Sequence, residues 1–243
     1  MTQRTLALDI GGTGLKAELL DDEGRPLVPR ARVETPKKAT PDAVVEALLT
    51  LIGPLGSFDR VSVGFPGVVN AGHVLTAPNL DSRAWANYPL ASVLSDKLGK
   101  PVRMLNDATV HGLGVVVGQG LECVITLGTG MGFALFDNGQ LTPHLELAHH
   151  PIRNNKDYDR YIGDAACKKI GLKRWNKRVR FALLRIRDLT GYDTLYIGGG
   201  NARNLRLNLE PNIRVVSNDA GLTGGVRLWD SHLDAAFAAG GRA

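Results

Sequence analysis

Two copies of one short pattern constrain the fold of this chain more than any other feature. Residues 5–20 consist of an apolar run, a glycine-rich turn and a second apolar run, and residues 123–136 repeat that order. The pattern predicts a β-hairpin whose tip is bare backbone, and a ligand can approach the amide groups of glycine closely. The two tips therefore predict two similar lobes that hold one polyphosphate between them. The tip residues are Gly11, Gly12, Thr13, Gly14, Gly128, Thr129 and Gly130.

The size and composition of the chain are typical of a globular protein. It has 243 residues, of which 44% are hydrophobic and 22% are charged, enough for one large domain or two ordinary ones. No apolar run reaches the roughly 18–20 residues that a membrane-spanning helix needs, and we expect neither a signal peptide nor a membrane partner. The two cysteines, Cys123 and Cys167, have no metal or disulfide spacing, which favours the cytoplasm.

The net charge of +5 comes from one segment of the chain. Residues 168–187 contain nine of the 29 basic residues and no Asp or Glu, so the remainder of the chain is net negative. A solvated helix face explains such a segment. A binding site for a polyanion also explains it, because clustered positive charge raises the local concentration of an anionic ligand.

The order of apolar runs and turns predicts an α/β protein with two lobes joined by a hinge. We place the N-terminal lobe at residues 1–106 and the C-terminal lobe at residues 107–243. Residues 108–118 and 163–189 are expected to be mainly helical, and a final helix at 222–239 is expected to pack back onto the first lobe.

Asn106 and Asp107 follow a buried strand and precede a helix, the place where open α/β sheets bind ligands. One interpretation makes Asp107 a general base that takes the proton of a substrate hydroxyl as it attacks phosphorus, which contributes roughly 10²–10⁴-fold. In the alternative, the aspartate only caps the helix. Phosphoryl transfer depends mostly on positioning and charge stabilisation, so one carboxylate and two glycine tips suffice.

Other candidate residues flank the two tips. Asp9 is a candidate Mg²⁺ ligand, directly or through water, because Mg²⁺ is usually held by one or two carboxylates and substrate phosphates; alternatively it bonds its own turn. Lys16 either meets a phosphate or faces solvent. A further glycine run after a predicted strand suits close passage of a planar base or a phosphate, although such a run is a weak signal by itself. Its members are Gly198, Gly199 and Gly200.

Glu146 and His149 are three residues apart and would share one face of a helical turn. With Asn106 and Asp107 they supply donors and acceptors for a polyhydroxyl ligand, whereas spacing alone favours a surface pair. A zinc site that uses the neighbouring histidines is disfavoured, because no thiolate or matching ligand lies nearby in the sequence.

Six motifs occur in the order found in ROK-family sugar kinases, and the chain resembles that family from about residue 6 to residue 229. The motifs lie at residues 9–16, 66–67, 105–107, 127–132, 146–149 and 196–200. The resemblance implies the two-lobed actin-like, sugar-kinase and Hsp70-like ATPase fold, which is ribonuclease H-like and has a cleft between its lobes.

Within the family, the chain looks most like the polyphosphate glucokinases, through residues 64–79, its short length and the helix that contains Trp175. This resemblance implies that Asp107 is the general base at the 6-hydroxyl of the sugar. It places Gly198–Gly200 where ATP-using members bind adenosine. The sugar-binding residues that it implies are Gly67, Asn79, Asn106, Asp107, Glu146, His149 and Asp159.

The chain departs from the family pattern where many members carry a structural zinc motif with three cysteines. That motif is absent, as in the polyphosphate glucokinases, and no zinc is expected. In the family the motif ends with a sugar-binding glutamate. Asp159 stands in its place here, and its shorter side chain leaves the sugar specificity open.

The resemblance implies a cytoplasmic hexose kinase that phosphorylates the 6-hydroxyl of glucose or a close hexose, with Mg²⁺ and with polyphosphate, ATP or both as the donor. One alternative is a ROK kinase that uses only ATP and another hexose. Another is a non-catalytic sugar-sensing regulator. Binding of nucleic acid is disfavoured, since the few residues before the first strand leave no room for a helix-turn-helix. A homodimer is an expectation from the family alone.

Overall fold

A computed structural model describes residues 3–217 and 220–238 of the chain, which form two compact units. The first unit comprises the described residues of 1–114 and 221–243, and the second comprises those of 115–220. The predicted boundary at residue 106 differs from this division, because the helix that begins at Asp107 packs against a strand of the first unit. A Cβ at Gly64 of that strand would lie only 3.4 Å from the Asp107 Cα.

Strands and helices alternate along the chain as expected for an α/β protein. The strands are β1 (Thr5–Ile10), β2 (Gly14–Leu20), β3 (Ala31–Glu34), β4 (Arg60–Phe65), β5 (Val69–Asn70), β6 (His73–Val74), β7 (Val102–Asn106), β8 (Leu121–Leu127), β9 (Met131–Asp137), β10 (Gln140–Leu141), β11 (Pro151–Arg153), β12 (Lys156–Asp157), β13 (Thr194–Gly198) and β14 (Ile213–Val215). The helices are α1 (Pro41–Ile52), α2 (Leu90–Leu98), α3 (Asp107–Leu113), α4 (Tyr158–Ile162), α5 (Asp164–Ile170), α6 (Leu172–Thr190), α7 (Ala220–Arg227) and α8 (Asp234–Phe237).

Each unit contains a five-stranded mixed sheet, and the two sheets have the same strand order. The first sheet runs β3-β2-β1-β4-β7 and the second runs β10-β9-β8-β13-β14. In both, an antiparallel hairpin is followed by two parallel strands. The internal repeat read from the sequence therefore exists as two copies of one sheet, with a glycine tip on each hairpin.

The first sheet brings the ends of two parallel strands to one edge. β4 and β7 pair in parallel, with Phe65 opposite Asn106, so the residues that follow both strands lie side by side. Apolar residues of both strands are buried, namely Val61 and Val63 of β4 at 0% exposure and Met104 and Leu105 of β7 at 3%. This buried sheet edge fixes the position of Asp107, the residue that follows β7.

The predicted final helix at 222–239 ends earlier than expected. α7 ends at Arg227, and residue 239 lies outside the described residues. The Trp229 indole Nε1 donates to Ser62 Oγ at 2.9 Å, and the Arg103 guanidinium lies 4.5 Å from the indole centroid. The helix stops because Trp229 turns onto the first sheet, where cation–π contact and a hydrogen bond hold it.

Two other predicted helices are also shorter than expected. α3 ends at Leu113 rather than continuing to residue 118. The long helix predicted at 163–189 is interrupted at Gly171, whose φ of 75° breaks it into α5 and α6. Two short hairpins, β5–β6 and β11–β12, and helix α4 are not apparent from the sequence pattern.

A buried carboxylate fixes the loop that follows α3. Glu122 is 0% exposed, and it accepts backbone N–H bonds from Val117 at 2.8 Å, Gly118 at 2.7 Å and Gln119 at 3.1 Å. The Tyr196 hydroxyl donates to it at 2.9 Å. Burial, together with this carboxylate, raises the pKa of Tyr196 to about 12, so the phenol stays a donor at neutral pH.

Replacing this carboxylate is expected to destabilise the protein. Glu122→Gln puts an amide NH₂ against backbone donors, and the free energy of unfolding should fall by about 3 kcal/mol, since charge-assisted bonds are lost and buried donors are left unpaired. Urea denaturation followed by far-UV circular dichroism measures the change. Glu210→Gln is the control, because its exposed pair with Arg187 is worth at most about 1 kcal/mol. Equal midpoints for the two variants would contradict the assigned role of Glu122.

Candidate active site

Asp107 is held at the first turn of α3 by its neighbour Asn106. The Asn106 Oδ1 accepts from the Ala108 N–H at 2.9 Å, and its Nδ2 donates to the Gly67 carbonyl at 3.1 Å. Asn106 is therefore the helix cap and is buried at 7% exposure, while Asp107 is only partly buried. Asp107 Oδ1 also accepts from the Ala108 N–H, at 2.7 Å, so both side chains cap the start of α3. Asn106 in addition ties this cap to the Gly67 backbone.

Gly67 and Asn79 also belong to the first unit. Gly67 has no room for a side chain, because the Thr76 carbonyl oxygen lies against it. Asn79 is exposed and contacts the first glycine tip, where a Cβ at Gly12 would lie 2.9 Å from the Asn79 Cβ. The unit thus places Gly67 beside Asn106 and Asn79 beside the tip.

The first tip carries an ion pair on the strands that lead to it. Asp9 and Lys16 face each other across the hairpin, and Lys16 Nζ lies 2.6 Å from Asp9 Oδ2. Their side chains are 48% and 38% exposed, so both can reach a ligand. One exposed carboxylate beside the glycine backbone of the predicted phosphate tip fits Mg²⁺, which needs few protein ligands when phosphates supply the others. Within the described residues, no three His, Cys, Asp or Glu side chains form a complete metal site.

His111 is a further candidate site residue, which lies outside the six sequence motifs. It lies four residues after Asp107 on α3, and residues with this spacing share a helix face. Its Nε2 atom is buried and has no hydrogen-bond partner within the described residues. Burial lowers the pKa of His111, although the Asp9 carboxylate opposes the shift, so the ring is neutral at neutral pH. The spacing from Asp107 is the sequence signal that identifies it.

The second tip is fixed by the start of α5. The Gly128 amide bonds the Gly130 carbonyl at 3.0 Å and closes the turn. The Asp164 amide donates to the carbonyl oxygens of Gly128 and Thr129 at 3.0 and 3.2 Å. The carbonyl groups of this tip are therefore partly occupied by the protein itself.

Asp159 lies against the second tip, a position that the sequence did not reveal. Its Oδ1 accepts from the Met131 amide at 2.7 Å, and its carboxylate fills the space that a side chain at Gly130 would need. Glycine at 130 is required by this close approach. Asp159, a predicted sugar-binding residue, thus also orders the backbone of the second tip.

Asp159, Glu146 and His149 form one electrostatic cluster in the second unit. Burial is the main cause that raises the pKa of Asp159, and the nearby Glu146 carboxylate adds to it. The bond from Met131 and the nearby His149 oppose the shift. The second unit therefore brings Glu146 and His149, two other predicted sugar-binding residues, into the neighbourhood of Asp159.

Glu146 precedes a short 3₁₀ turn, Leu147–His149, and His149 is the last residue of that turn. Glu146 Oε2 lies 3.4 Å from Nε2 of His144, a histidine for which the sequence suggested no role. Glu146 is partly exposed and His149 is exposed, so a ligand can reach the polar atoms of both side chains.

The three glycines after β13 have different surroundings. Gly198 is the last residue of the strand. Gly199 has a φ of 86° and packs tightly on the Leu127 backbone, whereas Gly200 has open space around its Cα. Packing thus requires Gly199, while only Gly200 offers backbone to a ligand.

Residues 5–150 of the chain match the ROK family. The chain belongs to the ROK family. Its two sheets are those of the actin-like ATPase fold, as predicted. Within the described residues, no helix combines the length and the apolar character needed to cross a membrane.

Several ROK proteins resemble the chain along most of its length. The polyphosphate glucokinase of Mycobacterium tuberculosis (strain ATCC 25618 / H37Rv) is 31% identical over 92% of this chain and 90% of its own. The inorganic polyphosphate/ATP-glucomannokinase of Arthrobacter sp. strain KM is 30% identical, with a TM-score of 0.82 over 92% of this chain and 97% of its own. A ROK glucokinase from Streptomyces griseus shares the fold, with a TM-score of 0.74 at 22% identity over 93% and 98% of the two chains.

Asp159→Asn is expected to lower activity without lowering stability. Folding raises the pKa of Asp159. The ionised carboxylate therefore lowers the free energy of unfolding at pH values above its folded pKa. Below the unfolded pKa of about 4 the group is protonated in both states, and this cost is absent. At pH 7 the unfolding midpoint of the variant should equal or exceed that of the wild type. The value of kcat/KM should fall about 10- to 100-fold, the worth of a charge-assisted hydrogen bond.

Thermal unfolding and steady-state kinetics measure these two effects side by side. Asp188→Asn is the matched control, because Asp188 only pairs with Arg185 on the surface. A loss of stability in Asp159→Asn that parallels its loss of activity would contradict the assignment.

Proposed function

We propose that this ROK protein is a hexose kinase that transfers a phosphoryl group from polyphosphate or ATP to the 6-hydroxyl of glucose. The observation that carries the proposal is the placement of Asp107, which a capping asparagine and a buried parallel sheet hold at the sheet edge. The likeness to polyphosphate glucokinases along 92% of the chain supports the same reaction.

Asp107 accepts the proton of the sugar hydroxyl as its oxygen attacks the terminal phosphorus of the donor. The new O–P bond forms while the bond from phosphorus to the bridging oxygen breaks, and the shortened phosphate leaves with that oxygen. Asn106 fixes the start of α3, the Ala108 N–H orients the Asp107 carboxylate, and the backbone amides of the glycine tips bind phosphate oxygens. Mg²⁺, when bound near Asp9, would neutralise charge on the donor phosphates.

Glu146, His149 and Asp159 supply the polar groups that recognise sugar hydroxyls. Two carboxylates accept hydrogen bonds from hydroxyl groups, and the imidazole either donates or accepts. Asn79 and the Gly67 backbone are assigned to the same ligand. Asp159 is the most desolvated of the three, and an analogue that lacks the hydroxyl it recognises would leave this carboxylate without that partner, which disfavours the analogue.

The basic segment favours polyphosphate among the two donors. Its exposed cations lie on α5 and α6 of the unit that holds the second tip, and a chain of phosphates carries charge well beyond one catalytic centre. The cytoplasm is the proposed location, since both cysteines are buried and unpaired.

Asp107→Asn is expected to abolish most turnover while sparing sugar binding. The amide cannot accept the proton, so kcat should fall about 10²–10⁴-fold. Glucose affinity, measured by calorimetry, should change little, because the amide keeps the shape and the hydrogen-bonding oxygen of the carboxylate. A variant with wild-type kcat would remove Asp107 from the role of base.

When each phosphoryl donor is assayed with each hexose, the pair polyphosphate and glucose is expected to give the highest kcat/KM. A coupled assay for glucose 6-phosphate measures turnover, and mass spectrometry measures the other hexose phosphates. Because exposed charges attract the donor, polyphosphate turnover should fall steeply with salt. Turnover with ATP but not with polyphosphate would refute the preference for polyphosphate. If neither donor supported turnover of any hexose, the kinase assignment would be refuted.

A further inference from the structure

The second glycine tip is connected to the basic segment through one residue. The Asp164 amide donates to the Gly128 carbonyl at 3.0 Å, and the Asp164 Oδ2 pairs with Lys168 Nζ at 2.6 Å. The Asn201 side chain donates to the Gly128 carbonyl and to Asp164 Oδ1, each at 3.3 Å. Lys168, the first cation of the segment, is therefore positioned by the same residue that fixes the tip.

Beyond Lys168, the surface where α5 meets α6 carries cations that have no acidic partner. We call this surface, Lys168–Lys177, the α5–α6 corner. Among residues 3–217 and 220–238, no carboxylate pairs with its other exposed cations, which are Lys169, Lys173, Arg174 and Lys177. Lys173 and Lys177 are four residues apart, a spacing at which like charges destabilise a helix. A bound anion would relieve that repulsion.

The cations farther along α6 are mostly engaged within the protein. The Arg178 guanidinium lies 4.8 Å from the centroid of the Tyr161 ring. Arg185 forms an ion pair with Asp188, and Arg187 forms one with Glu210, each with an N–O distance of 2.9 Å. Within the described residues, the exposed cations without a carboxylate partner thus lie mainly at the end of α6 that adjoins α5, with Arg180 as the exception farther along the helix.

We propose that a polyphosphate donor leaves the second tip over the α5–α6 corner, where Lys168, Lys169, Lys173 and Lys177 bind its distal phosphates. This inference rests on the proposed function, because it requires a phosphate donor at the tip. Lysine suits this role, since its compact charge binds phosphate without a fixed geometry and so tolerates a chain of varying register. A short donor ends before it reaches the corner.

The triple variant Lys169→Gln/Lys173→Gln/Lys177→Gln tests the proposal. In a binding titration with long-chain inorganic polyphosphate, its Kd should rise about 10-fold or more at low salt, and the slope of log K against log salt should fall by about 2–3, roughly one for each phosphate contact that is lost. In turnover, KM for long-chain polyphosphate should rise, while KM values for tripolyphosphate, ATP and glucose stay unchanged.

The control variant is Lys37→Gln/Lys38→Gln/Lys97→Gln, which removes three exposed lysines from the other unit. It should bind long-chain polyphosphate like the wild type. Equal weakening in both variants, or an equal rise in KM for ATP in the triple variant, would overturn the corner as a specific site. Wild-type turnover with ATP and not with polyphosphate would refute the proposed donor, and the binding titration would then still decide whether the corner holds polyphosphate.

Discussion

Close packing of a polar side chain against bare backbone is the constraint on which both glycine tips depend. Asn79 contacts Gly12 in the first unit, and Asp159 fills the space beside Gly130 in the second. Glycine has the greatest backbone freedom of any residue, so a tip made of glycine has a defined shape only when neighbouring groups impose it. Each tip therefore needs its glycines and a fixed partner from a later part of the same unit.

The duplicated sheet supplies the frame, while the electrostatics of its two copies differ. The first hairpin carries a carboxylate that a lysine partly neutralises, namely Asp9 with Lys16 at 2.6 Å. The second hairpin carries no charge at its tip but receives the buried carboxylate of Asp159. Similar backbones thus carry different charges, because Asp9 and Lys16 belong to the first hairpin itself, whereas Asp159 comes from a later part of the chain.

The sequence predicted the two glycine-tipped hairpins and the position of Asp107 between a buried strand and a helix. These features follow from local signals, namely apolar runs bounded by glycine, and β4 begins and ends where its apolar run does. The interruption at Gly171 was missed, because helix-forming residues flank it on both sides. The packing of Asp159 against Gly130 was also missed, since it joins residues 29 positions apart. The sequence suggested Asp107 as a possible helix cap, and only the hydrogen bonds show that Asn106 caps α3 as well.

The raised pKa of Asp159 has a consequence for sugar binding. Burial penalises the charged carboxylate, which keeps one bond to the Met131 amide. A sugar hydroxyl that donates to this carboxylate would favour the ionised form and lower its pKa again. By thermodynamic linkage, sugar binding would then release a proton, and sugar affinity would rise as the pH rises through this pKa. Sugar binding would in this way offset part of the free-energy cost of desolvating the ionised Asp159 carboxylate.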